Sequence, residues 1–422
     1  MASAPTFTVT PGGVEPVAFA FAAVFEPGLD GGPIAAGDFG ADGIPDVVVG
    51  ALDGARLTVF RGEGGGTVQP AGGVEFDLAG GFSHLVAADV NLDGQLDVVG
   101  SVPPADRVVV ALGNGQHGLA VGPEVVVESP GALLVRDLNR DGFPDLVVTG
   151  AREGSVFAGR GGGSFDPVPI GVVDSGTRAS ALVLLDITAD GFLDLVLALP
   201  DLNTIRLYRG DGDGGFAPLG VRSAREPEGL AVGDFNGDGI DDLAVADLDG
   251  VGVYLGFPGG LATEPLATAG VPPRGVHRAD LNGDGFADLL GLDPTGHSLV
   301  TWAGRGDGGF EVFVSARTDF PGRAVALLDL DGNRLPDTIS TGAAEIIVGD
   351  NNTPLRFLVG DVDRNGVVDA ADLDALRGEI YDGDGAGADS CGGGRQQSDA
   401  GADVNGDGHI DAADIPALIQ LL

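Results

Sequence analysis

Residues 234–242 read Asp-Phe-Asn-Gly-Asp-Gly-Ile-Asp-Asp, and the pattern behind them, Asp-x-Asx-x-Asp-Gly-x-x-Asp, occurs with variations seven times in the 422-residue chain. The copies begin at Asp38, Asp89, Asp137, Asp186, Asp234, Asp280 and Asp329, at intervals of 51, 48, 49, 48, 46 and 49 residues. A period this regular means a fold built from copies of one supersecondary unit.

The same nine residues carry chemistry. Oxygen-bearing side chains at positions 1, 3, 5 and 9 can converge on one point, position 7 can add its carbonyl, and glycine at position 6 permits a sharp turn. Such a donor set suits a hard cation taking six to eight oxygens at about 2.3–2.6 Å, which describes calcium. Four copies are complete. They are Asp89, Asn91, Asp93 and Asp97; Asp137, Asn139, Asp141 and Asp145; Asp234, Asn236, Asp238 and Asp242; and Asp280, Asn282, Asp284 and Asp288. Three are weaker. The first, with Asp38, Asp42 and Asp46, has Gly40 at position 3. The fourth, with Asp186, Thr188, Asp190 and Asp194, has a threonine there. The seventh, with Asp329, Asp331, Asn333 and Asp337, has Arg334 in place of the glycine. Asp-Gly pairs also mark ordinary turns, but turn chemistry does not ask for an acid at position 9 in every copy.

Two loops near the C-terminus follow a longer rule. Asp361, Asp363, Asn365, Val367, Asp369 and Asp372 stand at positions 1, 3, 5, 7, 9 and 12, and Asp403, Asn405, Asp407, His409, Asp411 and Asp414 repeat the spacing. This is the twelve-residue EF-hand pattern with Asp in place of the usual final Glu. His409 would offer only its carbonyl. The expected cofactor is therefore calcium, up to seven ions in the repeats and two in the tail.

These loops account for much of the composition. The formal charge is −41, and 29 of the 63 acids are proposed ligands. Nine dications carry +18 and would leave about −23. All 22 basic residues are arginine, and nothing forms the basic stripe that nucleic-acid phosphates require. The one cysteine, Cys391, excludes an intramolecular disulfide framework, so calcium must do the stapling. No apolar run of about 18 residues is present, so no membrane insertion is expected, and Met1–Pro5 shows no signal peptide. Loops of this kind argue for a calcium-rich exterior, secreted or at a cell surface; a monomer is expected.

Each repeat shows the same succession of short apolar runs between turns. Leu230–Gly233 leads into the Asp234 loop, Val47–Val49 follows the first loop, and Leu57–Phe60 comes next. A Gly-rich hairpin such as Gly212-Asp-Gly-Gly-Phe216 then precedes a fourth, weaker run. Four strands per repeat make a propeller blade. The expected fold is an all-β, seven-bladed propeller of four-stranded blades over residues 1–357. Val17–Phe25 should supply the strand that completes the last blade. A small α-helical, EF-hand-like domain should follow over 358–422, one helix presenting Leu373, Leu376 and Ile380 and the other Ile415, Leu418, Ile419 and Leu422.

Gly233–Asp242, Gly37–Ala51 and the Gly-Asp-Gly-Gly-Phe hairpins resemble FG-GAP/VCBS repeats, as in integrin α-subunit propellers and many bacterial surface proteins, over about residues 17–350. Gly360–Leu373 and Ala402–Ile415 look like the two calcium repeats of a type I dockerin. That resemblance implies docking onto a cohesin-like scaffold module through loop positions 10 and 11. Here those are Ala370-Ala371 and Ala412-Ala413, where the family often has hydroxyl residues.

In the resembling propellers, ligand contacts lie on the face opposite the calcium loops. On that face the connections between blades offer Arg178, Arg225, Arg274 and Arg323, and the 2→3 turns add Arg56, Arg107 and Arg152. Such guanidiniums either bind an anionic ligand, a uronate or sulfated polysaccharide, or pair with neighbouring acids. The function expected is a non-catalytic binding or adhesion platform for a polysaccharide or surface protein. The alternative is a polysaccharide lyase or glycosidase, with His84, His277 or the pair Glu226 and Glu228 as acid/base groups. Arg209-Gly-Asp211 and Arg305-Gly-Asp307 match an integrin-recognition tripeptide, yet both fall in the hairpin signature and are read as coincidence.

Overall fold

A computed structural model describes residues 19–25, 30–267, 272–293, 298–317, 322–342 and 345–351. The two twelve-residue loops, the helices expected after them and Cys391 lie outside the described residues. Seven antiparallel four-stranded sheets follow one another along the chain. The first is Gly31–Gly37, Asp46–Ala51, Arg56–Gly62 and Val68–Glu75, each strand paired with the next. Blades 2 to 6 repeat this meander within residues 84–126, 133–174, 181–223, 229–267 and 274–317.

The seventh blade is assembled from both ends. Val325–Leu328, Asp337–Thr341 and Glu345–Asn351 supply three strands, and Phe19–Phe25 is the fourth. It pairs antiparallel with Glu345–Asn351 over seven residues, from Phe19 opposite Asn351 to Phe25 opposite Glu345. The ring is thus closed by backbone hydrogen bonds between segments more than 300 residues apart in the chain.

Strand periodicity places the core between blades. Successive side chains of a strand point to opposite faces. In Leu195–Leu199, accordingly, Leu195, Leu197 and Leu199 pack against blade 3 beside Val147 and Val156. Val196 and Ala198 face the other way, onto Leu243, Val245 and Tyr254 of blade 5. A strand covered on both faces reads as an unbroken apolar run, which is why the second strand of each blade lacks polar alternation. Seven such clusters occur, one for each neighbouring pair of blades. The last joins Val47, Val49 and Phe60 of blade 1 to Ile339, Ile346 and Val348 of blade 7. Fully burying one such aliphatic side chain contributes about 1.5–3 kcal/mol.

The first strands line a central cavity of about 810 Å³, where Leu134, Leu182, Leu230, Val276 and Val325 meet the polar groups Arg136, His277 and Arg278. The fourth strands are the most exposed; Val68–Glu75 buries only Val68. Blade 5 departs from the pattern. Its outer strand shrinks to Leu266–Ala267, and a small hairpin, Gly256–Phe257 with Gly260–Leu261, is inserted before it. No helix among the described residues is long and apolar enough to cross a membrane.

Candidate metal centres

Each nine-residue loop joins the first strand of a blade to the second, and its carboxylates organise its own backbone. In loop 5, Asp234 Oδ1 accepts from the N–H groups of Asn236, Gly237 and Asp238, and its Oδ2 from Gly239. Position 3 then accepts from position 5 (Asp238 N to Asn236 Oδ1, 2.9 Å), and position 5 accepts from position 7 (Ile240 N to Asp238 Oδ1, 2.9 Å). The same steps recur at Asp89, Asn91 and Asp93 in the second loop. They recur again at Asp137, Asn139 and Asp141 in the third. In the sixth loop Asn282 and Asp284 make them as well.

This winding requires left-handed backbone at two places. Position 6 has φ between 80° and 89° at Gly43, Gly94, Gly142, Gly191, Gly239 and Gly285, and 71° at Arg334. Position 4 is also left-handed in every copy, though only Gly237, Gly283 and Gly332 are glycines; Ala41, Leu92, Arg140 and Ala189 take it with φ of 52–60°. Glycine enters this region without steric cost and other residues do not.

Position 9 has a second job. Asp46, Asp97, Asp145, Asp194, Asp242, Asp288 and Asp337 are all fully buried. In loop 5, Asp242 Oδ2 accepts from Phe235 N at 2.9 Å, and Oδ1 from Gly256 N at 2.7 Å, just past the third strand. Equivalent pairs of bonds hold Asp97, Asp145, Asp288 and Asp337. The aspartate therefore ties the loop to two strands as well as facing the site. Burial pushes Asp46, Asp97, Asp145, Asp194 and Asp242 above the usual carboxylate range, against the lowering effect of those N–H donors. Asp337 is pushed up to about 6, by burial first and then by the charges of Asp331 and Asp350. Asp234 goes the other way, because four backbone donors outweigh its modest burial.

The closeness of the acids does not follow the order expected from the motif. In the complete loops the position-3 amide turns to the position-5 carboxylate. Asn91 Nδ2 donates to Asp93 Oδ2 at 2.9 Å, and Asn139 Nδ2 donates to Asp141 Oδ2 at 3.1 Å. Asn236 and Asn282 do the same to Asp238 and Asp284. Asp93 and Asp141 are thereby held to Asn91 and Asn139, and neither loop draws three carboxylates together. Among the described residues, the seventh loop alone does so: carboxylate oxygens of Asp329, Asp331 and Asp337 lie within 4.8 Å of one another, despite Arg334. The reason is an exchange of residue types, since here position 3 is the acid and position 5 the amide. Asn333 Nδ2 donates to Asp331 Oδ2 at 3.2 Å and to Asn351 O at 3.1 Å, so Asn333 braces the cluster from the side. Its Oδ1 accepts from Leu335 N at 2.7 Å.

The other two weaker loops each receive a side chain from outside the motif. In the fourth, Thr188 at position 3 anchors the loop instead of opening it: its N–H donates to Asp194 Oδ2 at 3.0 Å, and its hydroxyl oxygen is buried. Arg209 places Nε and Nη2 on Asp190 Oδ2 at 3.1 and 2.8 Å. The Phe192 N–H and that guanidinium hold Asp190 below the usual range. Thr188 and Asp190 thus stand beside a resident cation, which the motif did not announce. Arg140 donates to Gly191 O and stacks 4.6 Å from the Phe192 ring centroid. In the first loop, the imidazole of His117, from the next blade, lies against Gly40 and the loop carboxylates. Sequence spacing held no sign of Arg209 or His117 here, because each reaches the loop across a fold-level contact.

On the opposite face, Arg225 pairs with Asp249 and Arg323 with Asp30. Arg178 donates to Pro130 O at 3.5 Å, and Arg274 opens the first strand of blade 6 with its side chain exposed. Arg107 pairs with Glu124 at 3.1 Å. Beside Arg178, His84 is held neutral down to about 4, by burial first and the guanidinium second. His277, deep in the central cavity, is lowered to about 4 by burial alone. Glu226 and Glu228 are fixed through backbone bonds to Asn203 Oδ1 and Ala246 O. Both arginines of the Arg-Gly-Asp tripeptides have acidic neighbours, Arg209 at Asp190 and Arg305 at 3.9 Å from Glu311.

A profile described as an FG-GAP-like repeat matches residues 38–100, 137–197 and 186–245, and one for the type I dockerin domain matches 359–422. No curated protein matches the chain. Among solved structures, the chain is similar to an Agrocybe aegerita lectin described as specifically recognising non-reducing terminal N-acetylglucosamine. Identity is 24%, the TM-score is 0.50, and 76% of this chain and 91% of that one are covered. It is also similar to BBS1N, solved in complex with ARL6DN, at 12% identity and a TM-score of 0.55, over 80% of this chain and 98% of that one. At these identities the likeness shows the fold.

Proposed function

We propose that this chain, which carries FG-GAP-like repeats on a seven-bladed propeller and a type I dockerin domain behind them, is an extracellular display module. The propeller is a non-catalytic, calcium-loaded binding platform, and the dockerin domain attaches it to a cohesin module of a scaffold. The observation that carries this reading is the pairing of a ring-closed propeller with an attachment domain. Dockerin domains bind calcium and cohesins, and proteins that bear them are typically extracellular.

The donor chemistry of the propeller loops supports calcium there too. Oxygens bound to one ion at about 2.3–2.6 Å lie no more than about 5 Å apart, and the carboxylates of Asp329, Asp331 and Asp337 meet that limit. In the third loop Asp137 Oδ1 is buried without a hydrogen-bond partner and is free to ligate. Asp89, Asp137, Asp234 and Asp280, with their partners at positions 3, 5 and 9, would hold the sites of fullest donor count. In the second and third loops the position-5 carboxylates, Asp93 and Asp141, would exchange the amides of Asn91 and Asn139 for the ion. Calcium there would neutralise carboxylates that otherwise repel one another.

The ligand is assigned to the face away from the loops and is a polysaccharide or surface protein. Since Arg225 and Arg323 carry internal partners, Arg178 and Arg274 are the guanidiniums to test. A second reading, a lyase acting on uronates, draws on the neutral His84 imidazole beside Arg178; release of unsaturated uronate would identify it. The proposal is tested by passing the full chain, and a chain ending at residue 351, over immobilised type I cohesins. Calcium-dependent retention of the full chain alone is expected; equal retention of both would contradict it. A glycan array spanning uronates, sulfated chains and N-acetylglucosamine-terminated glycans then reads the propeller's own ligand.

A further inference from the structure

The central cavity of about 810 Å³ is lined by backbone as well as by side chains. The first strand of every blade pairs only with the second, so its other edge presents unpaired N–H and C=O groups. Consecutive residues such as Leu134, Val135 and Arg136 all reach the cavity. Successive side chains point to opposite faces, so such a run lines a space only when the edge of the strand is turned towards it. At the loop end of the cavity stand two arginines, Arg136 directly before Asp137 and Arg278 two residues before Asp280. Leu134, on the same face of its strand as Arg136, packs against the cluster that holds Leu195 and Leu197 of blade 4, so Arg136 turns towards blade 4. Arg278 lies over blade 5, where a Cβ on Gly233 would stand 2.4 Å from its Nε and 2.5 Å from its Cδ. Gly233 directly precedes its loop, as Arg136 and Leu185 precede theirs, and the glycine makes the room that Arg278 fills. The two guanidiniums thus face the sector of blades 4 and 5 from opposite sides.

The chain has 63 acids for 22 arginines, yet neither of these guanidiniums has an ion-pair or hydrogen-bond partner among the described residues. Asp241, the one acid in the cavity lining, pairs with neither. The ring of His277, which also lines the cavity, is kept neutral by burial alone, with no hydrogen-bonding or charged neighbour acting on it. A neutral imidazole offers one donor and one acceptor.

We infer that the loop end of the central cavity binds a small polyhydroxylated carboxylate, with Arg136 and Arg278 on the carboxylate and His277 and the strand edges on the hydroxyls. Guanidinium forks hold carboxylates bidentately. Cavities of about 300–1,000 Å³ with a few convergent polar groups are the usual form of small-ligand sites. The site is separate from the arginines of the opposite face and does not depend on what they bind.

Galacturonate is the probe, and galactose, with CH2OH in place of the carboxylate, is its control. Each is titrated calorimetrically into the full chain in calcium buffer, and a wild-type melting temperature shows that each variant is folded. Wild type should bind galacturonate and not galactose. Arg136→Gln and Arg278→Gln should each weaken binding about tenfold, the loss expected for a charged hydrogen-bonding partner. Gly233→Ala should weaken it as well without removing a charge, because its methyl group displaces Arg278. Arg61→Gln, which removes an exposed guanidinium paired with Glu63, should bind as wild type. No binding of galacturonate by wild type, or unchanged binding by Arg136→Gln/Arg278→Gln, would overturn the site. Loss of binding in Arg178→Gln/Arg274→Gln, with the double cavity variant binding as wild type, would overturn it too by placing the carboxylate on the opposite face.

Discussion

At the scale of single residues, the position-9 aspartates bear on stability as much as on metal. Asp242 is fully buried and receives Phe235 N and Gly256 N, whereas Asp238 is exposed and accepts within its own loop. Removing a carboxylate that satisfies two buried donors costs about 1–3 kcal/mol for each group left unpaired. Asp242→Ala should therefore lower the melting temperature in chelator much more than Asp238→Ala, while both weaken calcium binding. A second expectation concerns pH. His84 and His277 titrate near 4 in the folded protein against an ordinary 6.5, so the folded state disfavours their charged forms. The stability each neutral ring contributes is complete above pH 6.5 and is lost as pH falls towards 4, with an upper limit of about 3 kcal/mol each. Denaturant unfolding of wild type and a His84→Gln/His277→Gln variant should therefore diverge in pH dependence across that window, the variant being the flatter. The aspartates were legible in the sequence as an invariant spacing. Their anchoring bonds were not, since Gly256 and its equivalents lie 14 to 16 residues away, at or just past the end of another strand. Nor did the spacing show that an acid at position 3, as in Asp331, gathers three carboxylates where Asn91 and Asn139 do not.

At the scale of elements, apolar runs between turn signals place the strands well, because a strand buried on both faces has no polar alternation to confuse it. The second strands, such as Asp97–Val102 and Asp194–Leu199, begin at the position-9 aspartate, so motif and strand boundary coincide. Blade 5 was less legible; its inserted hairpin at Gly256–Leu261 carries the same glycine punctuation as an ordinary turn. The position-4 left-handed turn was missed for a related reason, since Ala41, Leu92, Arg140 and Ala189 give no glycine signal. Ring closure depends on one element. Phe19–Phe25 makes a seven-residue ladder with Glu345–Asn351, and without it that strand would be left as an open edge. Removing residues 1–25 should lower the melting temperature sharply in calcium, as followed by far-ultraviolet circular dichroism. An unchanged melt would mean the ring does not need its closing strand.

At the scale of the whole molecule, the charge of −41 and the period of about 49 residues are two views of one construction. Each blade brings one loop of clustered acids, and the seven interblade clusters fix where those loops stand. The sequence could show how many loops exist and how complete each one is. It could not show that Arg209 and His117 enter the fourth and first loops, because both contacts appear only once the strands are assembled. The central claim is that these loops hold calcium in the folded chain, and counting calcium by native mass spectrometry of the full protein tests it most directly. The four complete propeller loops and the two twelve-residue loops predict at least six calcium ions bound, all removed by chelator. Two or fewer, the number the C-terminal domain alone could hold, would contradict the account.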